Sequence, residues 1–184
     1  VTTFLAIHLN ARLRPLDRGE WLEDPLQEVL AARSPGSEVS GGGTLISAEG
    51  EPESCDIDIE LEGDPATGLA LVIDALQAFG APRGSTARLG DADSLPFGLS
   101  EGLGLYLNGT DLPAEVYVDN DVNDLISRLD ELLGEEGAMR SYWEGPRDTA
   151  LYLYGDSAAR MRELLADLLA THPLARDHRL VTLA

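Results

Sequence analysis

Residues 61–76 read LEGDPATGLALVIDAL, and residues 153–168 read LYGDSAARMRELLADL. Each stretch has a leucine, then a Gly-Asp pair, then a helical pattern. Asp64 and Asp156 stand where a helix N-cap belongs, because a short carboxylate accepts the free amides of the first turn. Pro65 follows at the first helical position, where its missing N–H leaves nothing unsatisfied. Apolar residues recur at Leu69, Val72, Ile73 and Leu76, and again at Met161, Leu164, Leu165 and Leu168. That is the i, i+3, i+4, i+7 stripe of an amphipathic helix, at one offset in both places. The chain therefore reads as an internal duplication, and the remainder is parsed against it.

The copies align outward from this helix. LAIHLNA (5–11) answers LGLYLNG (103–109), each an alternating strand with Leu5, Ile7 and Leu9, or Leu103, Leu105 and Leu107, on one face. A helix follows each, carried by Trp21, Leu22, Leu26, Val29 and Leu30 in the first copy. Val122, Leu125, Ile126, Leu129, Leu132 and Leu133 carry it in the second. Two strands come next: GTLIS (43–47) and CDIDIEL (55–61), then AMRSYW (138–143) and TALYLY (149–154). Turn-rich AEGEPES and EGPRD join them. STARL (85–89) and HRLVTL (178–183) close the copies as short strands.

Strand, helix, strand, strand, helix, strand, written twice, is the split βαβ pattern. It resembles the ferredoxin-like fold over nearly the whole chain. The fold class expected is α+β: two ferredoxin-like βαββαβ repeats in tandem, pseudo-symmetric, with antiparallel sheets and helices on one face. Residues 1–90 form the first repeat, 91–101 a linker, and 102–184 the second. Such a resemblance is to an architecture and carries no activity with it.

The first and third strands of each copy, taken as parallel crossover strands, are expected at the centre of each sheet, and alternation then assigns their faces. In copy one, Leu5, Ile7 and Leu9 pack under the helices with Ile57, Ile59 and Leu61. The opposite face shows His8 and Asn10 beside Asp56, Asp58, Glu60 and Glu62. In copy two the matching positions hold Tyr106, Tyr152 and Tyr154. Tyrosine gives a large apolar area with a polar tip, the composition of a contact surface; the other copy or the linker is an equal candidate to cover it. Of Tyr142 and Trp143, one is expected to be buried.

The SGGGTLIS run (40–47) is not a phosphate loop. Such a loop leads into a helix N-terminus, whereas TLIS reads as a strand. The glycines are expected to precede the second strand, as a flexible or bulged edge or a place where a partner's backbone comes close.

Composition narrows the chemistry. The formal net charge is −20, and all 13 basic residues are arginines. The absence of lysine excludes Schiff-base chemistry and a P-loop. Nucleophile elbows, H-E-x-x-H and C-x-x-C are also missing. A single cysteine, Cys55, makes no intramolecular disulfide, and its acidic neighbours Glu53 and Asp56 disfavour the thiolate. His8 beside carboxylates suggests a metal site, but a solvated acidic face accounts for the pattern as well, and no cofactor or metal is expected. A basic footprint for nucleic acid is lacking. There is no membrane-length apolar run and no signal-peptide pattern, so a cytoplasmic location is expected, and the arginine-rich, alanine-rich bias points to a GC-rich bacterial genome.

The function expected is an acidic protein-binding module of inhibitor or immunity type that meets a basic protein, such as a toxin or nuclease. Its contact residues are Asp56, Asp58, Glu60, Glu62, His8, Tyr106, Tyr152 and Tyr154. The alternative is a small-molecule or metal-binding regulatory domain, or an enzyme, with His8, Tyr106, Tyr152 and Asp58 lining a cleft between the repeats.

Overall fold

Alternation in the first copy's strands builds a sheet with one apolar face. A computed structural model describes residues 2–184. Strands β1 (Thr3–Leu9), β2 (Glu38–Ile46), β3 (Pro52–Leu61), β4 (Ser85–Leu89) and β5 (Leu95–Phe97) form one sheet in the order β2-β3-β1-β4-β5. Strands β6 (Glu101–Asn108), β7 (Gly137–Glu144), β8 (Asp148–Gly155) and β9 (Arg179–Thr182) form the second, in the order β7-β8-β6-β9. Leaving β5 aside, the two orders are the same. This is the doubled ferredoxin-like arrangement.

The first and third strands of each copy are central but antiparallel, not parallel. The helical crossover brings β2 back in the direction of β1, and the tight hairpin then reverses the chain into β3. Residues 95–97, inside the segment read as a linker, add a fifth strand against β4.

The first helical run comprises α1 (Pro15–Arg18), a π-helical turn (Gly19–Glu23) and α2 (Asp24–Arg33). Pro25 cannot donate to the Trp21 carbonyl, and its ring presses on that group, so the helix widens there. Helix α3 (Pro65–Ala78) is capped by Asp64, whose carboxylate accepts the Thr67 amide at 2.9 Å. In α6 (Ala158–Thr171) the cap is Ser157, not Asp156; its hydroxyl accepts the Arg160 amide at 3.2 Å. Helix α5 (Val122–Leu133) is the helix expected in copy two, and a short helix α4 (Ala114–Asp119) precedes it.

Leu5, Ile7, Leu9, Ile57, Ile59 and Leu61 are buried with Leu22, Leu26, Leu30, Val72 and Leu76 in one core. Leu103, Leu105, Leu107, Leu151 and Leu153 are buried with Leu125, Leu129, Met161 and Leu165 in the other. In both copies the helices cover one face of the sheet, and what lies on the opposite faces sets the two copies apart. No helix among the described residues is long and apolar enough to cross a membrane.

Candidate functional site

On the outer face of the first sheet, register places the side chains in rows. Gly43, Asp56, His8 and Thr86 form one row; Gly41, Asp58, Ala6 and Arg88 form the next; Glu38, Glu60 and Phe4 form a third. Asp56, Glu60 and His8 are exposed and Asp58 half-buried. The sequence thus places Asp56, Asp58, Glu60 and His8 together as the structure does.

His8 and Asp56 meet at 2.8 Å through the ring Nδ1 and a carboxylate oxygen. Glu62, at the end of the row, accepts the Thr2 hydroxyl, which holds its carboxyl below the usual range. Asn10 leaves the face: its side-chain amide donates to the Arg83 carbonyl at 2.9 Å. Phe4, Thr86 and Arg88 belong to the surface as well; alternation through Thr3–Leu9 and STARL carries that signal, and sequence reasoning had not followed it.

The glycine run lies inside β2 rather than before it. Gly41 stands opposite Asp58, Gly42 opposite Ile57 and Gly43 opposite Asp56, and the register shifts between Val39 and Gly41. Gly41 and Gly43 therefore bring no side chain to the outer face, and the carboxylates of Asp58 and Asp56 border an open strip. A concavity of about 550 Å³ results, lined by Phe4, Ala6, His8, Gly43, Asp58 and Arg88 among others. It is shallow and polar. It offers acceptors and negative charge to a cation, and it does not enclose a ligand.

The tyrosines do not belong to this surface. Tyr106, Tyr152 and Tyr154 retain 6%, 0% and 3% of their accessible area, so their rings are not open to an outside partner, contrary to the expectation from the sequence. The second sheet's outer face is covered by copy one: its residues 11–14, Trp21 and the β2–β3 hairpin. Tyr154 accepts the Arg12 amide at 2.8 Å and packs on Trp21 with ring centroids 5.3 Å apart. Tyr152 donates to Glu51 at 2.9 Å, Tyr106 donates to the same oxygen, and the Arg12 guanidinium donates to it too. Burial, with Glu51 beside it, pushes the Tyr106 hydroxyl up to about 12, and the same two causes raise Tyr152. Alternation identified the face correctly; what covers a face depends on packing between copies, which alternation does not encode.

The expected cleft fails for the same reason. Tyr106 and Tyr152 sit between the copies, whereas His8 and Asp58 lie on the outer face of the first sheet, so the four are not brought together. Tyr142 and Trp143 are both half-buried; the Arg14 guanidinium stacks 3.6 Å from the Tyr142 ring centroid. No group of three or more His, Cys, Asp or Glu side chains is placed to hold a metal among the described residues. Cys55 is buried, and burial pushes its thiol up to about 12 even with Arg18 near enough to oppose the shift.

No family model matches the chain, and no curated protein matches it. Among solved structures, a candidate glycine cleavage system transcriptional repressor matches with 13% identity over 99% of this chain and 96% of its own, at a TM-score of 0.34. A candidate monooxygenase from Fusobacterium nucleatum matches with 9% identity over 99% and 91%, at 0.33. The first two RRM domains of the yeast poly(U) binding protein match with 12% identity over 98% and 99%, at 0.26.

Proposed function

We propose that the protein is a binding module of inhibitor or immunity type, whose acidic outer face on the first sheet meets a basic protein partner such as a toxin or nuclease. The observation that carries this reading is the contrast between two equivalent faces. The aromatic one is consumed in joining the copies. The acidic one is left open, and Asp58 and Glu60 have no hydrogen-bond or ion-pair partner among the described residues. Aligned carboxylates repel one another and add nothing to the fold. They gain when a cationic surface neutralises them, and their field speeds the encounter.

The test separates the face from net charge. A face variant carries Asp56→Asn, Asp58→Asn and Glu60→Gln. A control removes equal charge from α5 through Asp124→Asn, Asp130→Asn and Glu131→Gln. Host-cell proteins retained at low salt are identified by mass spectrometry. The reading expects a basic protein retained by the wild type and the control, lost from the face variant, and released by salt. Equal retention by the wild type, the control and the face variant would sink it.

A further inference from the structure

We propose that the free edge of β2 accepts an extended basic segment of the partner as an added strand, whose Lys or Arg side chains cross Gly41 and Gly43 to reach Asp58 and Asp56. This rests on the reading of the outer face as a surface for a basic partner and specifies how that partner is held.

Strand β2 ends the sheet and pairs only with β3, while the strand at the opposite edge, β5, has three residues. With nine residues, β2 is a long edge, and an unpaired edge is a template for another strand. Proteins blunt such edges with lysine, proline or bulges. Here a register shift falls between Leu45 and Ile46 at the far end, and the bulge at residue 40 with the Gln27 side chain, which accepts the Val39 amide at 2.8 Å, protects the beginning. Beyond that point the strand carries three glycines and then Leu45 and Ile46, which are 58% and 57% exposed.

The fold does not require two of those glycines. None of the three has a left-handed backbone. A Cβ on Gly43 would meet nothing within 4 Å, and one on Gly41 would stand 3.5 Å from an Asp58 carboxylate oxygen, an ordinary contact. Glycine inside a strand is destabilising relative to alanine, because it gives up more backbone freedom on folding. What the pair provides is a lane. An added strand lies one spacing from β2 and two from β3, roughly 10 Å from the aspartates. Any side chain at Gly41 or Gly43 would stand in that path; with glycine there, a long cationic side chain lies flat across β2 and ends at a carboxylate. Period-two alternation then puts Leu45 in the same file, so the segment that fits has basic residues two apart and an apolar residue two further on. A second copy of this chain is the wrong occupant, because each carries a net charge of −20.

The probe is a capped peptide as long as β2, alternating Thr and Lys and labelled for fluorescence anisotropy. Its comparison is the same peptide with every backbone amide N-methylated, which has equal charge and no strand-pairing donors. The expected result at low salt is binding of the unmodified peptide about tenfold or more tighter than of the methylated one. Gly43→Val is expected to abolish that difference with its thermal midpoint preserved, and Gly41→Val serves as a second variant of the same lane. Binding is also expected to slow hydrogen exchange of the residue 41–46 amides. Equal binding of both peptides, unaffected by either valine, would overturn the added strand. The basic-partner reading would survive that outcome if Asp56→Asn with Asp58→Asn weakened both peptides. Failure of both peptides to bind would overturn the added strand and the basic-partner reading together.

Discussion

A methyl group on Gly42 would sit 2.4 Å from the Asp56 carbonyl oxygen, a distance that only a backbone shift relieves. Its neighbours in the run face open space or ordinary contacts, so one glycine serves the fold and two do not. Gly42→Ala is expected to destabilise the protein by roughly 1–3 kcal/mol, the usual cost of an overpacked site. Gly43→Ala is expected to leave stability unchanged or raise it slightly, since the unfolded chain loses freedom. Chemical denaturation of the two variants checks the pair; equal losses would contradict the assignment. Cys55 permits a second check at this scale. Its thiol is buried and its pKa pushed up to about 12, so a thiol reagent at neutral pH should modify it only as fast as the protein unfolds. The sequence marked the glycine run but hid its setting. Glycine has low strand propensity, so the pattern marks a strand only from Gly43, although it begins at Glu38.

Elements were legible where pattern was strong. The alternation of Cys55–Leu61 and the capped stripe after Asp64 both appear where the residues place them. The cap at Asp156 was off by one, because Asp156 and Ser157 are both good caps and only the helix start decides between them. Strand β5 escaped notice because three residues with a central proline carry no period. On the proposed reading the decisive element is β3, whose outward carboxylates share one face. Reversing Asp58 and Glu60 to arginine should abolish capture of a basic partner while leaving the thermal midpoint within a few degrees, since neither carboxylate has a hydrogen-bond or ion-pair partner among the described residues to lose. Loss of folding would show instead that this face has a structural role.

Across the whole molecule, the joint between copies centres on a half-buried carboxylate, Glu51, shared by Tyr106, Tyr152 and Arg12. A hairpin glutamate in AEGEPES gave no hint of this, because its partners lie in the other copy. The joint makes a pH prediction. Tyr106 has its hydroxyl raised from 10.0 to about 12 in the folded state, so the folded protein disfavours the phenolate. The contribution is fully present below pH 10 and is lost as pH rises from there through about 12. Near-ultraviolet circular dichroism should therefore show the tyrosine environment loosening over that alkaline range. Glu51→Ala should lower the thermal midpoint by several degrees, because it leaves two buried hydroxyls and a guanidinium without their acceptor.

The proposed binding surface is the acidic outer face of the first sheet, as distinct from the protein's overall charge. The direct measurement is the affinity of one purified basic partner for the wild type, the Asp56→Asn/Asp58→Asn/Glu60→Gln face variant and the α5 control of equal charge, at matched low salt. The expected loss is about tenfold or more for the face variant and less than about twofold for the control. Equal losses in both, or none in either, would contradict it.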